Sequence, residues 1–138
     1  MSKTKKITSI IVTAMVMVTI LTTAAFAQSY ANKYVYGNAY TVVANGGFSD
    51  GGANYLTTTV GEIYKADGTS SNYSRVRGDV LNSSGNQISV STNVALDLDT
   101  PTLIMLNQNY AAGTIMKLRM KGNVNSLDCI VDFTTAIG

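Results

Sequence analysis

Histidine and tryptophan are absent from the 138-residue chain, and cysteine, proline and glutamate occur once each. Each absence removes a class of chemistry. Without histidine there is no Ser-His-Asp or Cys-His nucleophile and none of the usual zinc ligand sets. The sole glutamate, Glu62 in TVGEIY, leaves the aspartates without an evident partner for the matched carboxylates of a glycosidase. NGGFSDGG at 45–52 is glycine-rich, but it lacks the spacing and the following Lys-Ser/Thr of a phosphate-cradling loop. With only Cys129 there is no internal disulfide, so a secreted domain must cohere by packing unless it binds a metal or forms oligomers. These absences point away from catalysis.

Helical periodicity is also missing beyond the first residues, which have the pattern of a secretory signal peptide. Lys3, Lys5 and Lys6 precede the apolar run from Ile7 to Leu21, and Ala25 and Ala27 flank Phe26 at a small-residue exit. The pattern predicts cleavage after Ala27, a mature domain over 28–138 and a secreted, extracellular location. An uncleaved anchor over Ile7 to Ala27 is the alternative, and the small-residue exit favours cleavage. No second apolar span follows, so no transmembrane segment is expected after cleavage.

Loss of the leader takes three lysines with it and leaves seven Lys+Arg against eight Asp+Glu, a net charge of −1. That balance gives no support to nucleic-acid binding, which rests on an excess of positive charge.

The mature length suits one domain with one core. Runs rich in Val, Ile, Thr and Tyr recur near 34–44, 56–65, 73–82, 87–98, 102–110, 114–124 and 129–137, separated by Gly, Asn, Ser and Asp clusters. About seven short strands predict an all-β fold, an antiparallel β-sandwich of jelly-roll or Ig-like type. Residues 28–33 read as a loose start. On 87–98, Ile88, Val90, Thr92, Val94, Leu96 and Leu98 share one face. On 114–124, Met116, Leu118 and Met120 alternate with Lys117, Arg119 and Lys121, and Cys129 shares the parity of Val131 and Phe133, which predicts a buried thiol.

Three constellations are candidate contact sites. Asp97 and Asp99, two residues apart beside Pro101, would share a face at a strand end, where calcium takes oxygen ligands; Asp50 and Asp67 could add to them. Ordinary turn chemistry is the simpler reading, because calcium wants six to eight oxygens. Tyr34, Tyr36 and Tyr40, with Asn38, share a parity and would form a tyrosine ladder able to stack on glycans or peptides, or a half-buried sheet margin. Lys117, Arg119 and Lys121 form a basic stripe, joined by Arg75 and Arg77 if those strands are neighbours. Such a stripe meets an anionic envelope polymer or simply keeps a strand face soluble.

With its leader, its strand pattern and the segment MKLRMKGNVNSLDCIVDF, the chain resembles the small secreted β-sandwich proteins of Gram-positive bacteria, a group that includes the lactococcin-972-type bacteriocins. The resemblance implies an exported all-β domain and carries over no functional residue. The expectation is a non-catalytic extracellular or envelope-associated module that binds a cell-envelope polymer, a glycan or a protein surface, or associates with itself. A bacteriocin-like antagonist and a calcium-dependent carbohydrate-binding domain are the alternatives.

Overall fold

The computed structural model describes residues 28–47, 53–124 and 127–137. Among these there is no helix, and so none long and apolar enough to cross a membrane. Eight strands are present: β1 (Gln28–Val35), β2 (Thr41–Gly47), β3 (Ala53–Lys65), β4 (Arg75–Asn82), β5 (Val94–Asp97), β6 (Thr102–Tyr110), β7 (Ile115–Gly122) and β8 (Cys129–Ile137). They form two four-stranded sheets, in the orders β1-β8-β3-β6 and β2-β7-β4-β5.

Pairing follows one rule. β1 meets β8, β2 meets β7, β3 meets β6 and β4 meets β5, all antiparallel. The chain is thus one long hairpin, wrapped so that β8 also pairs with β3 and β7 with β4. Alternation on each strand then supplies a single core shared by both sheets. Val35, Leu56, Val60, Ile104 and Val131 enter it from the first sheet, and Val76, Leu96, Met116, Leu118 and Met120 from the second. Fully burying one such side chain contributes about 1.5–3 kcal/mol.

The strand pattern differs from the sequence expectation in three places. The segment 34–44 is not one strand. It ends in the first sheet at Val35 and restarts in the second at Thr41. Gly37 permits the crossing, because a Cβ there would lie 2.5 Å from the backbone nitrogen of Leu127. The crossing is pinned by the Gly37 amide, which donates to Asp128 Oδ1 at 2.8 Å, and by the Gly122 amide, which donates to the Tyr36 carbonyl at 2.8 Å.

Residues 28–33 are not loose but belong to edge strand β1. A register shift between Tyr30 and Lys33, with Asn32 at φ 56°, breaks the alternation that would have marked it as a strand. Tyr30 stacks on Phe133 with ring centroids 4.9 Å apart.

The segment 87–98 is also interrupted. Ile88 and Ser89 both donate their amides to the Val80 carbonyl, while Asn107 donates to the Ile88 carbonyl and Val90 to that of Met105, so this short piece ties β4 to β6 across the two sheets. Asn93, at φ 57°, redirects the chain before β5. The supposed common face is therefore lost: Ile88 and Leu96 are buried, whereas Val90 is 66% exposed.

Cys129 lies in the core with Val131 and Phe133. Burial, with a smaller effect of the Asp128 carboxylate, pushes its thiol up to about 11 from 9.0. A thiol that holds its proton more tightly when folded contributes fully below its unfolded value and loses that contribution as pH rises through the folded one. The unfolding free energy should therefore fall between about pH 9 and 11, by on the order of 2 kcal/mol from this group, and Cys129→Ala should flatten part of the fall in urea titrations. Gly37→Ala should lower stability by about 1–3 kcal/mol at neutral pH, since its methyl group meets backbone that cannot yield cheaply.

Candidate functional site

β7 lies between β2 and β4, so its outward residues form the centre of the second sheet's outer face. Met116, Leu118 and Met120 are buried beneath it, and Lys117, Arg119 and Lys121 stand half-exposed between them. The register with β4 sets Arg119 opposite Asp79 and Lys121 opposite Arg77.

Arg119 is the best-anchored member. Its Nε donates to Asp79 Oδ1 at 2.8 Å and its Nη2 to Oδ2 at 2.6 Å, a two-pronged bond that fixes the guanidinium plane. Asp79 is wholly buried, while the Arg119 side chain keeps 27% of its surface exposed. The hydrogen-bonded Asp79 carboxylate pushes the Arg119 pKa upward.

Tyr40 lies against the same strip. Its ring centroid is 4.5 Å from Arg119 Cζ and 5.0 Å from Lys121 Nζ, within cation–π range. Its hydroxyl donates to Asn93 Oδ1 and accepts the Asn93 amide at 3.0 Å. Burial raises the Tyr40 pKa, and the Asn93 amide bond works against that rise. Arg77 reaches neutral acceptors, Asn123 Oδ1 at 3.0 Å and the Asn93 carbonyl at 3.1 Å. A cavity of about 160 Å³ lined in part by Tyr73, Arg75, Asn123 and Leu127 adjoins this end. The result is a preoriented surface of cations, one aromatic ring and amide groups, suited to an anionic ligand.

The tyrosine ladder is not one surface. Tyr34 and Tyr36 pack edge to face with centroids 5.2 Å apart and stay 43% and 48% exposed, but Tyr40 has crossed to the second sheet. The Tyr34 hydroxyl donates to Asp128 Oδ2 at 2.9 Å, which raises the tyrosine's pKa.

Asp97 and Asp99 do not form the expected pair on one strand face. β5 ends at Asp97, and Asp99 takes a left-handed φ of 57° while its amide donates to the Val60 carbonyl at 2.7 Å. Asp97 accepts a two-pronged bond from Arg75, which holds its carboxyl below the usual range. Asp67 is engaged by Thr69, through the amide at 2.9 Å and the hydroxyl at 2.6 Å, and Asp50 lies outside the described residues. Among the described residues no group of three or more His, Cys, Asp or Glu is arranged to hold a metal ion.

Asp79, Asn93 and Asn123 were not singled out from the sequence. The strand RVRGDV does carry a signal for Asp79, because alternation puts it on the face of Arg75 and Arg77. Nothing local points to Asn93, which is 53 residues from Tyr40.

Asp79→Ala, which leaves Arg119 without its counter-charge, should cost about 3 kcal/mol in denaturant unfolding. Removal of Asp97 from its exposed pair with Arg75 should scarcely move the midpoint. No family model matches the chain, and neither the curated proteins nor the solved structures yield a match.

Proposed function

We propose that this chain is an exported, non-catalytic interaction module, a jelly-roll β-sandwich that docks anionic partners at the cell envelope on the outer face of its second sheet. The carrying observation is the convergence of Lys117, Arg119, Lys121, Arg77 and Tyr40 on one face, with Arg119 held in place by a buried carboxylate. Arg119, its charge balanced by Asp79, anchors Tyr40 at the centre of the strip, while Lys117, Lys121 and Arg77, which form no ion pair among the described residues, supply the positive charge that carboxylate or phosphate recognition needs. Export is supported by the leader pattern over 1–27, and a non-catalytic role by the absence of histidine and the single glutamate. The hairpin-like pairing of all eight strands supports the jelly-roll assignment.

The purified chain should be retained on immobilised dextran sulfate at low ionic strength and released as salt rises. Lys117→Glu combined with Lys121→Glu should weaken retention at least tenfold without changing the circular dichroism spectrum. Retention that survives both the double variant and about 1 M salt, where screening acts within about 3 Å, would sink this reading.

A further inference from the structure

The outer face of the first sheet is the electrostatic counterpart of the cationic face. Glu62 on β3 lies directly opposite Asp132 on β8, and Asp128, just before β8, has the parity of Asp132. Like charges directly opposite one another on neighbouring strands are destabilising. Yet both ion pairs among the described residues lie on the second sheet, and neither involves these three carboxylates. Uncharged donors hold the three in place instead. The Gly37 amide and the Tyr34 hydroxyl donate to Asp128, the Asn32 amide to Asp132 at 2.8 Å, and the Tyr64 hydroxyl to Glu62.

The two faces also agree in spacing. Along the first sheet the outward order is Asp128, Ile130, Asp132; along β7 it is Lys117, Arg119, Lys121. Each row runs over five residues, about 13 Å for extended chain. Each has a neutral centre, Ile130 in one and the Asp79-paired Arg119 in the other. Glu62 adds a third negative charge beside Asp132, and Arg77 a third positive charge beside Lys121. The expected net charge of −1 after leader removal, from seven Lys+Arg and eight Asp+Glu, is too small to keep copies apart.

We propose that the partner of the cationic face is a second copy of this chain, docked through its Asp128, Asp132 and Glu62 face, so that copies stack head to tail. This rests on the reading of the second sheet's outer face as the contact surface. The contact is heterologous, so each complex keeps one free face of each kind and growth continues past the dimer.

Sedimentation velocity at about 20 mM and about 500 mM salt tests it, because screening at the higher value shortens electrostatic reach to a few ångströms. The chain should form a concentration-dependent series of species larger than dimer at low salt, with at least a tenfold loss of association at high salt. Lys117→Glu/Lys121→Glu should be monomeric, and so should Glu62→Gln/Asp128→Asn/Asp132→Asn, in which each amide keeps one acceptor oxygen, enough for the Gly37 and Asn32 amides, while the Tyr34 hydroxyl loses its acceptor on residue 128. Mixed in equal amounts, the two variants each retain one intact face and should form a 1:1 complex that grows no further.

A monomer at low salt that is still retained on dextran sulfate overturns the self-docking and leaves the anionic-partner reading standing. A monomer that is not retained overturns both. Association that persists in either variant alone, or that is indifferent to salt, also overturns the self-docking.

Discussion

Burial of alternate side chains against a facing sheet is the interaction on which the rest of this protein depends. The single cysteine is a free thiol in the core, so no disulfide shares the task. One buried Leu, Met or Val contributes about 1.5–3 kcal/mol, several times the worth of an exposed ion pair. The packing of Met116, Leu118 and Met120 therefore sets where β7 lies. The outward placement of Lys117, Arg119 and Lys121 follows from it, because successive side chains on a strand point to opposite faces. The charged surface is in this sense a consequence of the core.

Closing two sheets over one core requires the chain to pass between them, and the passages are where backbone detail matters most. At one, Gly37 and Gly122 come so close to Leu127 that a side chain on either would collide with backbone. Between β4 and β5, two strands of the second sheet, the bonds of residues 88–90 to Val80, Met105 and Asn107 tie β4 to β6 of the first. Both segments interrupt strands that would otherwise run on. The first also divides the tyrosines: Tyr34 and Tyr36 stay beside the carboxylates of the first sheet, and Tyr40 joins the cations of the second.

The electrostatics sort by depth. Asp79 is fully buried and has its guanidinium partner, as a carboxylate removed from water must. Arg75 and Asp97 pair at the surface, where water and salt weaken the bond and the partners matter less to stability. Lys117 and Lys121 on one face, and Glu62, Asp128 and Asp132 on the other, form no ion pair among the described residues. The two faces thus carry opposite charge on a molecule with almost none overall.

The amino-acid sequence by itself determined the all-β class, the extents of β6 and β8, the face of β7 and the burial of Cys129. All of these follow from a two-residue alternation that the backbone of an extended strand imposes locally. It also made the carboxylate pair at 97 and 99 look like one surface and 34–44 look like one strand, because alternation alone carries no mark of where a strand ends. Only the tertiary structure decided that Arg119 takes Asp79, 40 residues away, and that Tyr40 takes Asn93, 53 residues away. Those partners depend on which strands become neighbours. That choice is made by the burial of the whole core rather than by any segment of it, so the basic face was legible as a stripe of charge but not in the partners that hold it.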